Sequence, residues 1–320
     1  MAIHYFTDKV QLGGTPLTKE EVKELNKYFE ENPEKPFRLY WFEEDNNDFT
    51  FLKGLKNIKK LHINYSTLQD LDFLSYFPDL EELEIDEIRG SFDISPISRL
   101  SSLKVLNLDL QNTKKTADLT YLNGLTNLEQ LYLTGKFTKK SLQLNFDKLK
   151  VFCPYSGFED LASLAVLENL EFLKLYDHKI SSLQGIETIT SLKKILINNI
   201  KIENQDILSP IFLLPQLNAL SISYTKGITD FTFIKNKSHL KSLYLWSLNS
   251  LESVIGIENL TALETYSHCG EHLHKNKIDF SPLLTLKTLK NVEIKIGKMN
   301  RDAEERLHTV LSKYPKDIEI

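Results

Sequence analysis

The chain has 320 residues, 41% apolar and 26% charged, and its 39 basic and 44 acidic residues leave a net charge of −5. That balance belongs to a folded globular chain and excludes a disordered or collagen-like one, while the acidic excess speaks against a dedicated nucleic-acid binder. No apolar run approaches the roughly 18 residues of a membrane-spanning helix, and two cysteines, Cys153 and Cys269, cannot make a disulfide framework.

The opening residues, Met1 to Asp8, hold neither a basic stretch nor an apolar core, so no secretory signal is expected. With so few cysteines, the chain reads as cytoplasmic. Thr18-Lys-Glu-Glu21 is a capping box that opens a helix, with Val22, Leu25, Tyr28 and Phe29 at helical spacing and Asn32-Pro33 as its stop. Beyond it one frame recurs, apolar-x-x-apolar-x-apolar. It fits Ile58-Leu61-Ile63, Leu80-Leu83-Ile85, Leu103-Leu106-Leu108 and Leu128-Leu131-Leu133. It returns at Leu170-Leu173-Leu175, Leu192-Ile195-Ile197, Leu217-Leu220-Ile222, Leu240-Leu243-Leu245 and Leu289-Val292-Ile294. Leu149-Phe152-Pro154 and Leu263-Tyr266-His268 are degraded copies in the same phase. The mean spacing is about 23 residues, a repeat architecture. Pro36-Leu39-Trp41 and Pro315-Ile318-Ile320 extend the phase at either end. Asn300 then caps a second helix running to about Lys313, with Ala303, Leu307, Val310 and Leu311 on one face.

Each frame makes a short strand whose alternate residues point inward. One coil cannot bury them alone, whereas stacked coils can. The intervening segments, such as Phe92-Asp-Ile94-Ser-Pro96-Ile97, Ile228-Thr-Asp-Phe231 and Ile278-Asp-Phe280-Ser-Pro282-Leu283, favour turns or short 3₁₀ pieces. In these residues the chain resembles the leucine-rich repeat family, in the short-repeat subclass of bacterial internalins and of a eukaryotic phosphatase-regulatory subunit. The resemblance implies an α/β fold: a right-handed solenoid, or horseshoe, of about 12 coils with a parallel concave β-sheet and helical caps. Residues 1–35 would be the N-terminal cap, 36–298 the solenoid, and 299–320 a C-terminal helix and terminal strand. The family's internal asparagine ladder is missing, since its positions hold Ser66, Ile88, Gln111, Ile200, Thr225 and Leu248 among others.

Family geometry assigns the concave face to residues flanking the second and third repeat positions. These include Arg38-Tyr40-Phe42, Lys60-His62-Asn64, Val151-Cys153-Tyr155 and Thr265-Ser267-Cys269. On that face lie an acidic patch, Glu82, Glu84, Asp86 and Asp109, and an aromatic set, Tyr132, Tyr155, Phe172, Tyr176, Tyr244 and Trp246. Exposed aromatics on a rigid sheet are the composition of interface anchors, and the acids suit a partner with a basic patch.

For chemistry, His268-Cys269-Gly-Glu271-His272-Leu-His274 is the densest group of ligand-type residues. It lacks a paired C-x-x-C or H-E-x-x-H spacing, and His268 occupies a repeat-leucine position facing the core, so an irregular loop is favoured over a metal site on His268, Cys269, His272 and His274. Cys153 has no local base to make it a nucleophile, and no phosphate loop is present. The chain is therefore read as a non-catalytic, cofactor-free, monomeric scaffold for another protein, not for nucleic acid or membrane. An immunity protein masking a toxin, an internalin-like surface adhesin, and a metal-binding sensor or enzyme are the alternatives.

Overall fold

The computed structural model describes residues 3–43, 48–135, 137, 145–154, 161–177, 182–270, 278–297 and 299–314, with Ala162 by its backbone only. Met1–Tyr155 and Ser156–Ile320 form two compact units.

The first unit begins with β1 (Ile3–Tyr5), β2 (Val10–Gly13) and α1 (Lys19–Glu31). Strands β3 (Phe37–Tyr40), β4 (Lys60–Asn64), β5 (Thr67–Leu68), β6 (Glu82–Asp86), β7 (Arg89–Gly90), β8 (Val105–Leu110), β9 (Gln130–Gly135) and β10 (Val151–Cys153) follow. Its main sheet runs β1-β2-β3-β4-β6-β8-β9-β10, parallel throughout except for the β1–β2 hairpin, and β5 pairs separately with β7. The second unit stacks β11 (Phe172–Tyr176), β12 (Lys194–Asn198), β13 (Ala219–Ser223), β14 (Ser242–Trp246), β15 (Thr265–Gly270) and β16 (Asn291–Ile296), all parallel and in sequence order, and ends with α2 (Arg301–Leu311).

The repeat sets this register. Leu61 lies beside Leu83, Leu83 beside Leu106, Leu106 beside Leu131 and Leu131 beside Phe152. In the second unit Leu173, Ile195, Leu220, Leu243, Tyr266 and Val292 line up the same way. All are buried, so each coil covers the apolar side of the next. The degraded copies keep the register, but β10 stops after three residues, immediately before Pro154, which has no N–H to offer the ladder.

Most of the return segments are short 3₁₀ turns, and aspartates open several of the returns. The carboxylates of Asp93, Asp118, Asp230 and Asp279 each accept the N–H two residues on, at 2.8–3.0 Å. This is the side-chain mimic of a turn that Asp favours. The capping box at Thr18 forms as the sequence predicts, and Leu25 and Phe29 are buried beneath α1. Asn26 fastens that helix to the neighbouring return segment, donating to the Gly54 carbonyl and accepting from the Lys56 N–H. Asn300 caps α2, and the Tyr314 hydroxyl donates to the Leu283 carbonyl at 2.9 Å. Pro315-Ile318-Ile320 lies outside the described residues.

Three expectations change. The first copy of the frame sits two residues earlier than Pro36-Leu39-Trp41: Phe37 pairs with Leu61 and Leu39 with Ile63. Phe42, expected to be exposed, is buried and donates its N–H to the Ser66 hydroxyl at 3.0 Å. β2 adds a strand that the frame does not predict, with Val10 and Leu12 beside Phe37 and Leu39. Hydroxyls also replace part of the missing asparagine ladder. Buried Ser66 and Thr225 donate to the carbonyls of Asn64 and Ser223. Among the described residues no helix is long and apolar enough to cross a membrane.

Candidate functional site

Side chains alternate along a strand, so residues between the buried repeat positions form rows on the opposite face of each sheet. In the first unit one row reads Arg38, His62, Glu84, Asn107, Tyr132, and the next reads Tyr40, Asn64, Asp86, Asp109, Thr134. Asp86 follows Ile85 and Asp109 follows Leu108, which are paired, so the two carboxylates lie side by side.

The acids fall into two kinds. Glu82 is neutralised: its carboxylate meets His62 Nε2 at 2.7 Å and Lys60 Nζ at 3.3 Å, and the His62 hydrogen bond holds its pKa below the ordinary value. Asp86 is pushed the other way, first by partial burial and then by the charges of Asp109, Glu84 and Glu87. Asp109 is raised by burial and by Glu87. Among the described residues no lysine or arginine pairs with either aspartate. The nearby cation, Arg38, is spent elsewhere: its Nε donates to Asn64 Oδ1 at 2.6 Å, Asn64 Nδ2 donates to Glu84, and the guanidinium lies 4.6 Å from the Tyr40 ring centroid. This network explains why Asn64, expected to be exposed, is buried.

A further column of side chains leaves the sheet just past each strand. Two residues after the third repeat position the backbone turns left-handed, at Trp41 (φ 61°), Tyr65 (φ 52°), Glu87 (φ 53°), Asp177 (φ 55°), Asn199 (φ 52°), Tyr224 (φ 51°) and Ser247 (φ 51°). The N–H of Tyr65, Asn199, Tyr224 and Ser247 still reaches the carbonyl of the following strand, which fixes the conformation. Bulky residues seldom sit at positive φ, a strained region costing of order 1–3 kcal/mol. Here that geometry carries three large aromatic side chains into solvent, Trp41 at 55% exposed, Tyr65 at 51% and Tyr224 at 52%. Tyr40 lies against both Trp41 and Tyr65, with ring centroids 6.1 and 5.6 Å away. Tyr65 and Tyr224 escaped the sequence reading, and Trp41, expected at an inward-facing position of the frame, is instead exposed. The signal that could have found them is the phase itself, since Gly14, Asp177 and Asn199, all left-handed formers, share it.

Tyr132 is half-buried and donates to Gln130 Oε1 at 2.9 Å. Tyr155 lies outside the described residues. In the second unit Phe172 is half-buried under the Lys174 ammonium, 4.9 Å from its ring centroid, and Tyr176 is exposed. Tyr244 and Trp246 stand out from β14 with only small residues in register beside them, Ser221 and Ser223 on β13 and Ser267 and Cys269 on β15. The Trp246 indole N–H donates to the Tyr224 hydroxyl at 2.8 Å, so the sheet row and the left-handed column meet there.

The ligand-type cluster separates. His268 is fully buried at its repeat position, as the frame predicts, with Nδ1 3.0 Å from the Tyr266 hydroxyl and its ring edge-on to Phe280. Burial lowers its pKa to about 3, and among the described residues its Nε2 has no hydrogen-bond partner. Cys269, expected on the exposed face, is buried between the longer side chains of Trp246 and Lys295, and Cys153 is buried as well. His272 and His274 lie outside the described residues. Among those that are described, no three His, Cys, Asp or Glu side chains form a group able to hold a metal ion.

No protein-family model and no curated protein matches the chain. Several solved structures share its fold. An internalin (inlF) from Listeria monocytogenes superposes with a TM-score of 0.62 at 23% identity, over 94% of this chain and 84% of that one. A leucine-rich repeat protein from Leptospira interrogans gives 0.50 at 20% identity, over 97% and 89%. TLR13, in a complex with single-stranded RNA, gives 0.51 at 18% identity, over 93% and 48%. The fold of this chain is thus that of the leucine-rich repeat proteins.

Proposed function

We propose that this chain is a non-catalytic scaffold that binds another protein on the solvent-facing rows of its strands, and that in the first unit the bound segment is cationic. The observation carrying this reading is the juxtaposition of an unneutralised aspartate pair, Asp86 and Asp109, with exposed aromatics held on a hydrogen-bonded backbone, Trp41 and Tyr65. Carboxylates placed side by side destabilise a sheet unless a counter-charge arrives, and aromatic faces attract Lys and Arg as well as apolar groups. A basic partner segment would relieve the first and cover the second. Tyr132, Phe172, Tyr176, Tyr244 and Trp246 are the other contact residues we assign, together with Glu82 and Glu84.

The test exploits an opposition between stability and binding. Folding raises the pKa of both aspartates, so their ionised forms oppose the native state at pH 7. That penalty is absent below the unfolded carboxylate range and grows as pH rises through it. Asp86→Asn/Asp109→Asn is therefore expected to be more stable at pH 7, by a few tenths to about 1 kcal/mol, in urea unfolding. The same variant is expected to bind the partner recovered with the wild-type chain about tenfold more weakly, a loss of about 1.4 kcal/mol. A more stable variant with undiminished affinity would remove the aspartates from the interface.

A further inference from the structure

The second unit contains a cleft of about 930 Å³ between the solvent-facing side of β13–β16 and α2. Its shape follows from residue size. Ser267 and Cys269 on β15 lie in register with Tyr244 and Trp246 on one side and with Glu293 and Lys295 on the other. The short side chains make a trough whose flanking strands are roughly 10 Å apart, two inter-strand spacings. Across it, Leu307 and Leu311, one helical turn apart, and Met299 line the cleft from α2 and the segment before it.

The polar groups indicate what the trough accepts. The indole N–H of Trp246 is committed to Tyr224, so its ring face is the free feature. Glu293 receives the Ser267 hydroxyl at 2.8 Å and the Lys295 ammonium at 2.9 Å, so its charge is matched. Glu304 adds a carboxylate to the lining. An anion such as a phosphate or an RNA backbone would meet a neutral to negative site. On the wall facing Trp246 two polar side chains, Glu304 and His308, stand among three apolar ones, Leu307, Leu311 and Met299, so an apolar ring face matches more of that wall than the hydroxyls of a sugar do. A ring with an apolar outer face fits both walls. The volume lies near the upper end of the roughly 300–1,000 Å³ of ligand sites, so it holds a length of chain as well as a ring. The hydroxyls of Ser221 and Ser223 can each donate or accept, and Ser267, whose proton goes to Glu293, can accept, as a peptide backbone requires.

We propose that this cleft receives an aromatic side chain borne on an extended segment of the partner protein, its ring against Trp246 and Tyr244 and its backbone along the serine hydroxyls. This rests on the reading of the chain as a protein-binding scaffold and names what the second unit takes.

The chain has two tryptophans, Trp41 and Trp246, so in a Trp41→Phe background the indole emission reports on Trp246 alone. The probes are the capped peptides Gly-Ser-Phe-Ser-Gly and Gly-Ser-Ala-Ser-Gly, maltose and AMP. A saturable emission change with the phenylalanine peptide is expected, at least tenfold weaker with the alanine peptide. It should disappear in Leu307→Lys, whose side chain is half-buried on the helix surface, and in Tyr244→Ala, each checked for folding by circular dichroism. No saturable response, equal response to both peptides, or a maltose or AMP response that the phenylalanine peptide does not displace would each overturn the proposal. The scaffold reading is tested apart from this. If the peptides fail while a captured partner is still lost on Asp86→Asn/Asp109→Asn, the cleft assignment falls and the scaffold stands. If the phenylalanine peptide binds but no partner is held through the strand rows, the scaffold reading falls.

Discussion

Lowering the pH from 7.5 to 5 is expected to cost the native state about 2 kcal/mol through a single side chain, His268, at 1.36 kcal/mol per unit over the 1.5 units below its ordinary pKa. Its folded pKa of about 3 lies far below the usual 6.5 because the ring is buried. Above pH 6.5 both states hold the neutral ring and nothing is lost. Below it the unfolded chain takes up a proton that the folded chain refuses, so stability falls steadily until the folded pKa is reached. The ring sits between Tyr266 and Phe280, and Tyr266 is itself fully buried with its hydroxyl on His268 Nδ1. Replacing the histidine alone would strand that hydroxyl, at about 1–3 kcal/mol. Tyr266→Phe/His268→Leu removes both polar groups and restores the apolar frame. Urea unfolding at the two pH values should show the double variant losing about 2 kcal/mol less than wild type on acidification, and at least matching it at pH 7.5. Parallel pH dependences would mean that His268 is protonated in the folded state.

The second large effect is at Gly256, where the backbones of successive coils meet. Gly256 has φ +96°, and a Cβ there would stand 2.1 Å from the Phe231 carbonyl oxygen and 2.3 Å from its carbon. The contact cannot open freely, because the Phe231 N–H donates to the Ile255 carbonyl at 2.8 Å. Gly256→Ala combines a strained φ with overpacking against backbone, for an expected loss of roughly 3–5 kcal/mol. Gly124 is the control. A Cβ there meets nothing within 4 Å, so Gly124→Ala should change stability by about 1 kcal/mol or less. Equal midpoints for the two variants in a thermal melt would contradict the packing described for the coils.

The repeat strands were legible because every coil must bury the same three positions, and even Tyr266 and His268, poor matches to the frame, keep the register for that reason. The first copy was mis-phased because Phe37, Leu39 and Trp41 offer apolar residues to either register, and burial of Phe37 decides between them. β2 offers only Val10 and Leu12, too short a fragment for the pattern. On the face of the sheets, the period-2 rule found Tyr244, Trp246, Asp86 and Asp109 on the solvent side. It also placed Asn64, Cys153 and Cys269 there, because alternation gives direction while burial depends on the length of the neighbours. Tyr65 and Tyr224 were invisible to it, and the frame put Trp41 inward, since all three project from left-handed turns just past the strands. The cleft was invisible too, because its lining joins residues of β13–β16 with residues of α2 that are far apart in the chain.

Site-directed photocrosslinking tests the central claim most directly. A benzoyl-phenylalanine would be placed singly at Tyr65 and Tyr244, and at Tyr121 and Leu213, which are exposed on the 3₁₀ return segments. Irradiation in native lysate should give a discrete protein adduct from positions 65 and 244 and none from 121 and 213. An adduct formed from the return-segment positions and absent from the strand rows would contradict the account.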